Sequence, residues 1–170
     1  NVKATVDIKT GKANLSWTAV TKGINGGYVG DMKYNVVRYP DNKAIATATA
    51  ATSVSDVLPG GDLTGYYYTV QAISGQRKSE PAQSNSVSYG DMLEPPYYQG
   101  FDNEASLNVF TIIDANEDGA TWKFCENDGT GQSSAQIEYG DSEDGHDDWL
   151  IMPPLKLKKG QVYNVSFRVA

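Results

Sequence analysis

The chain of 170 residues has one cysteine, Cys125, and one histidine, His146. A single thiol excludes an intrachain disulfide, and a secreted domain with a sufficient core can do without one. A single imidazole forces any Ser–His–Asp arrangement, Cys–His pair or two-imidazole zinc site to use His146 or fail. No nucleophile motif surrounds His146 or Cys125, and the cysteine reads as a small buried apolar residue. Basic residues are also few: 14 Lys and Arg stand against 21 Asp and Glu, for a formal charge of −7. No Lys/Arg cluster interrupts that balance, so the phosphate-neutralising surface of a nucleic-acid binder is missing. No apolar run approaches the roughly 20 residues of a membrane-spanning helix. Helical periodicity is missing too; Ala44–Ala51 is alanine-rich but carries Thr47 and Thr49 and no charged face. The chain opens at Asn1 with neither a methionine nor a charged-then-apolar leader, as expected of a processed chain or a piece of a longer one.

What is present is short-period alternation, broken by Gly, Pro, Asn and Asp, and that pattern predicts an all-β chain. Ala13, Leu15 and Trp17 share one face of a strand. Tyr34 and Val36 share the inner face of the run Lys33–Tyr39. Tyr66, Tyr68, Val70 and Ala72 alternate with Tyr67, Thr69, Gln71 and Ile73, and a last strand signal covers Ser84–Tyr89. The pattern stops at Gly-Asp-Met-Leu-Glu-Pro-Pro over 90–96, where two prolines cannot join a ladder and Pro95 restricts Glu94. That predicts a first domain over 1–90, a stiff linker over 91–96 and a second domain over 97–170. In the latter, Tyr163, Val165, Phe167 and Val169 alternate within Val162–Ala170, predicting a strand whose apolar face needs a second sheet. Three or four strands are too few for a sandwich of their own, so the chain is expected to end inside a domain.

The first part resembles a fibronectin type III domain over residues 2–90. The resemblance is carried by Leu15-Ser16-Trp17, Tyr34, Leu58-Pro59-Gly60 and the run from Tyr66 to Ala72. It implies a seven-stranded, two-sheet sandwich with Trp17 between the sheets and Tyr66 as a corner tyrosine bonded back to nearby backbone. The loop Thr21–Asp31 departs from the family in its length and its glycines; with the run Val36–Asn42 it is similar to versions in Bacteroidetes surface proteins. The second part resembles the cleaved-adhesin, or choice-of-anchor J, family, which includes the haemagglutinin regions of gingipain-type proteins. Phe101-Asp102, the segment Ile113 to Trp122, and Asp148-Trp149-Leu150-Ile151-Met152-Pro153 carry that likeness. The expected fold class is therefore all-β: a fibronectin type III sandwich followed by the N-terminal portion of a jelly-roll β-sandwich.

Asp114, Asn116, Asp118 and Gly119 have the spacing of the first half of a calcium loop, whose oxygens wrap a hard cation. The helix–loop–helix version fails, because Cys125 occupies the position that needs a bidentate Glu. Two readings stand: a calcium site in a sandwich loop, and an Asx-rich turn that satisfies its own backbone. Asp141, Glu143, Asp144, Asp147 and Asp148 crowd a second stretch, either around a cation or as a solvated acidic loop. In a complete sandwich Asp102, Asp114, Asn116, Asp118, Asp147 and Asp148 are expected to converge on a structural Ca2+; that convergence is implied by the family resemblance alone. Carboxylates are abundant enough for a glycosidase pair, but an incomplete sandwich lacks the cleft. Tyr28, Tyr39, Tyr67, Tyr97 and Tyr98 either cover sheet faces and junctions or stack on sugars and anchor a partner. The glycosylation patterns at Asn14 and Asn164 fall on expected strands and are explained by chance.

The resemblances imply a non-catalytic accessory module of a secreted or cell-surface bacterial protein, with an adhesive or spacing role towards a glycan or a host or surface protein. The alternative is a non-catalytic appendage of a large surface protease or glycoside hydrolase.

Overall fold

The computed structural model describes residues 1–137, 145 and 147–169. The chain divides into two compact units, Asn1–Gly90 and Asp91–Ala170.

In the first unit, β1 (Val2–Asp7), β2 (Lys12–Trp17) and β5 (Ser53–Val57) form one antiparallel sheet in the order β1-β2-β5. The other sheet is built on β3 (Lys33–Tyr39), β4 (Lys43–Thr49) and the long β6 (Thr64–Ser74), ordered β4-β3-β6. Alternation sends Val2, Ala4, Ala13, Leu15 and Trp17 inward from the first sheet. Tyr34, Val36, Tyr66, Tyr68, Val70 and Ala72 come inward from the second, and together they make the core. The Trp17 indole meets the Tyr34 ring edge-on, with centroids 5.4 Å apart. The Tyr34 hydroxyl accepts the Val20 N–H at 2.9 Å, fixing the chain as it leaves β2.

The final strand of this sandwich comes in three pieces, β7 (Arg77–Lys78), β8 (Ala82–Gln83) and β9 (Val87–Tyr89), all pairing with β6. Ile73 pairs with Lys78, Val70 with Ala82 and Tyr66 with Val87, so the register slips by one residue at each break. Each break is thus a one-residue bulge. Pro81, which has no N–H to give, sits at the first. Side chains fill the gaps: Ser79 Oγ accepts the Ala72 N–H and Ser84 Oγ accepts the Tyr68 N–H, both at 3.0 Å. Asn85 turns to the other sheet, where its Oδ1 accepts the Ala4 N–H and its Nδ2 donates to the Ala4 carbonyl.

The inner face of β3 does not end at Val36: Arg38 is buried as well. Its guanidinium donates to Asp56 Oδ2 at 2.6 Å and forks onto Asp41 at 3.0 and 2.6 Å. The Tyr68 hydroxyl donates to the same Asp56 oxygen at 3.2 Å, and the Val57 N–H donates to Asp56 Oδ1. Here the structure departs from the expected corner tyrosine. The Tyr66 hydroxyl makes no bond to nearby backbone; its ring instead lies 5.5 Å from the Arg38 guanidinium carbon. The tyrosine hydroxyl that ties into the sandwich is that of Tyr68, because a buried carboxylate lies within its reach.

Burial pushes the Tyr68 hydroxyl well above the ordinary tyrosine range, and the neighbouring Asp56 carboxylate adds to the shift. A raised folded-state value means that the sandwich holds the proton more tightly than the unfolded chain does. The stability tied to it is intact below about pH 10 and is lost as pH rises further. Alkaline denaturation followed by circular dichroism should begin above that pH, and Tyr68→Phe should flatten the fall. An unchanged profile in the variant would assign the fall to another group.

In the second unit, β10 (Thr111–Asp114) pairs with β13 (Asp148–Ile151), and β11 (Trp122–Cys125) pairs with β12 (Ser134–Ile137). A short 3-10 helix, Glu104–Val109, precedes them. Leu107, Phe110 and Pro153 are its buried apolar residues among those described. Leu93, within the stretch expected as a linker, makes a parallel bridge to Leu155, and the Glu94 carboxylate meets Lys156 Nζ at 3.0 Å. The strand expected over Val162–Ala170 does not form at the described residues 162–169. Val162, Val165, Phe167 and Val169 are exposed, because no edge among the described residues pairs with that segment.

Candidate functional site

The acidic residues of the second unit meet at one end of the β10–β13 ladder. Asp114 is the last residue of β10 and pairs with Asp148, the first of β13. The Ala115 N–H then bonds the Asp147 carbonyl at 2.9 Å, carrying the pairing one step further. Beyond it the chain turns through Asn116 to Gly119, with Glu117 at φ 59° and Gly119 at φ 84°. Asp114 Oδ2 accepts the Gly119 N–H at 3.0 Å and Asp118 Oδ1 accepts the Ala120 N–H at 2.8 Å. The Asn116 amide donates to Asp118 Oδ2 and to the Gly145 carbonyl, each at 3.0 Å. Much of the segment is therefore the self-bonded Asx turn that its composition allows.

Within residues 114–119 one buried side-chain oxygen is left over. Asp114 Oδ1 is buried and accepts no hydrogen bond. A carboxylate oxygen so placed, on a residue paired with another aspartate, is chemically suited to a hard cation. Asp114 and Asp148 would be the first ligands; the Asn116 Oδ1 next to them lies on an amide whose nitrogen is already engaged. Asp147 is partly committed, its Oδ1 accepting the Trp149 indole N–H at 2.9 Å. Asp102 is exposed beside Gly100 and makes none of these contacts. Among the described residues no three His, Cys, Asp or Glu side chains gather as a metal centre would need. Asp141, Glu143, Asp144 and His146 lie outside the described residues. Cys125 is half-buried rather than buried, its thiol directed at the Asn127 carbonyl.

Of the five tyrosines named from the sequence, Tyr97 is half-buried and the other four fall into two pairs. Tyr39 and Tyr67 stack on one another across β3 and β6, 4.9 Å apart and within 6° of parallel, so each covers the other's face. Tyr28 and Tyr98 stand almost fully exposed. Tyr28 belongs to the loop Thr21–Asp31, which the Ser74 hydroxyl holds by donating to the Val29 carbonyl.

The buried charged residues among those described, Arg38 and Asp56, are each other's partners inside the first sandwich. They belong to an ion-pair network inside the sandwich, not to a group aimed at a substrate. The sequence motifs did not reveal this pair. Continuing the alternation of Tyr34 and Val36 by two residues places Arg38 on the same face, a signal the motifs do not use, and its acid lies 18 residues further along the chain.

No protein-family model matches the chain, and no curated protein matches it. Among solved structures it is similar to a Fn3-like protein from Clostridium thermocellum, at 27% identity over 54% of this chain and 91% of that one, with a TM-score of 0.40. The first unit is an Fn3-like sandwich. Its two sheets in the orders β1-β2-β5 and β4-β3-β6, closed by a last strand on β6, establish this independently of the overall superposition. Among the described residues the regular structure is all-β apart from one short 3-10 helix.

Proposed function

We propose that the chain is a non-catalytic accessory module of a secreted or cell-surface bacterial multidomain protein, with an adhesive or spacing role towards a glycan or a surface protein. The observation that supports this most is the way the Fn3-like unit uses its buried charges. Arg38, Asp56 and Tyr68 satisfy one another where they are buried, the exposed Asp41 takes the remaining face of the guanidinium, and the Tyr28 ring remains outside for contact. A glycan array and a panel of glycoside and peptide substrates, applied to the same preparation, test the reading. The expected result is binding without turnover. Turnover that a single carboxylate substitution abolishes would overturn it.

Under the same proposal, the second unit is the opening portion of an adhesin-type jelly roll that takes up a structural Ca2+ through Asp114 and Asp148. The ion would supply charge neutralisation at the strand ends and would stabilise the folded form by binding it alone. Terbium, a luminescent stand-in for calcium, should be sensitised by Trp122, whose indole N–H lies 3.3 Å from the Asp148 carbonyl. Asp114→Asn should abolish the signal, and millimolar calcium should compete it away. Calorimetry should show a higher transition for this unit in calcium than in chelator. Identical transitions and no terbium signal would leave the acidic segments as solvated turns.

A further inference from the structure

We propose that Asn25 is a modification site: it deamidates spontaneously through a succinimide, which water opens to an aspartate or an isoaspartate at the same position. The proposal does not depend on the accessory-module reading. Three features meet at this residue.

The first is the residue that follows. Asn25 precedes Gly26, and no other asparagine in the chain is followed by glycine. Ring closure brings the next residue's backbone nitrogen onto the asparagine side-chain carbon. A Cβ on that next residue stands in the way, and glycine has none. Asn35, Asn108 and Asn164 are each followed by valine, whose branch at Cβ crowds the nitrogen most. The second feature is room. Asn25, Gly26 and Gly27 are all exposed, and chain neighbours apart, no heavy atom lies within 4 Å of where a Cβ would stand on Gly26 or Gly27. The third is freedom: the Asn25 amide makes no hydrogen bond with any described residue. Asn85, which precedes the small Ser86, is pinned instead by the Ala4 N–H, the Ala4 carbonyl and the Ser86 carbonyl.

The step is redox-neutral and its co-reactant is water. The Gly26 nitrogen gives its proton to solvent base and bonds to Asn25 Cγ; the Cγ–Nδ2 bond breaks and ammonia leaves. Water then adds to one of the two ring carbonyls. Breaking the bond from nitrogen to Cγ restores the ordinary backbone and leaves an aspartate. Breaking the bond from nitrogen to the backbone carbonyl carbon routes the chain through Cβ and Cγ as an isoaspartate. One contact resists: the Gly26 N–H donates to the Gly23 carbonyl at 2.8 Å and has to let go first. It closes an exposed turn, and such bonds open at a small fraction of the cost of global unfolding. Either product puts a negative charge on the loop that carries Tyr28. The isoaspartate also lengthens the backbone inside the turn that the Gly23 N–H closes on the Gly27 carbonyl at 2.9 Å.

The test holds the folded full chain for several days in water enriched in heavy oxygen, at neutral and at mildly alkaline pH, then maps its peptides by mass spectrometry. The peptide containing Asn25 should take up the label as it deamidates, faster at the higher pH and at least about tenfold faster than the peptide containing Asn85. Label acquired before digestion separates this from deamidation during handling. Electron-transfer fragmentation should find isoaspartate in the product, which direct hydrolysis of the amide cannot give. In urea the rate at Asn25 should rise by no more than about tenfold, because the folded turn already permits the reaction. Asn25→Gln, which lengthens the side chain beyond a five-membered ring, should stay unlabelled. An Asn25 peptide that remains unmodified in the folded chain overturns the proposal, whether or not it reacts in urea. Aspartate without isoaspartate overturns the ring-closing route.

Discussion

Replacing Arg38 by methionine is expected to destabilise the Fn3-like unit by about 3–5 kcal/mol, as when one partner of a buried ion pair is removed. The reason is the charge left behind. Asp56 is buried, and apart from Arg38 its one cationic neighbour is Lys43, whose Nζ lies 3.8 Å from Oδ1 on a half-exposed side chain. Methionine keeps much of the volume, so the loss reports electrostatics more than packing. Adding Asp56→Asn should recover at least half of the loss, because the amide carries no charge and can still accept from the Tyr68 hydroxyl. Urea titration of the single and double variants measures both steps. A double variant no more stable than the single one would show that the arginine acts through its packing.

Trp17→Ala should cost about 3–5 kcal/mol, the usual range for truncating a buried aromatic. The indole is buried at the end of β2 and packs edge-on against Tyr34, so its removal opens space between the two sheets. Its Nε1 is buried without a hydrogen-bond partner. Trp17→Phe should therefore cost clearly less than the alanine change, since it removes that orphan donor and keeps most of the ring contact. Denaturant titrations of the two variants give the comparison. A near-zero loss for the alanine variant would mean that the sheets do not close on this residue.

The core of the Fn3-like unit was legible because its information is local. A period of two along Ala13–Trp17, Tyr34–Val36 and Tyr66–Ala72 assigns each residue a face, and those residues are the buried ones. The Arg38–Asp56 pair was hidden because alternation gives the direction of a side chain and not its mate across the sandwich. The bulged last strand showed only part of itself: Ser84–Tyr89 carried the signal, while β7 and β8 are too short for any period to register. In the second unit the pattern at 162–169 was as clean as any in the first, yet no strand formed there. Alternation records how a segment would pair if an edge were present; the edge is a separate, non-local requirement. Asp114 and Asp148 were named from their composition and a family likeness, and what no motif stated is that they pair across one ladder.

The three-piece last strand has a consequence for crowding. Wherever many such modules are tethered close together, an unbroken sheet edge invites strand-to-strand zippering between neighbours. Here the β6 side of the second sheet offers no run longer than three residues before the register slips. At its opposite margin, β4 shifts register twice against β3 and places Ala48 at φ 50°. On the first sheet, the outward N–H and carbonyl of Ala4 in β1 are already occupied by Asn85. Three of the four margins are thus interrupted, leaving the five-residue β5 as the border without such a break. The irregularities that make its strands look imperfect leave a crowded neighbour little edge to continue, apart from β5.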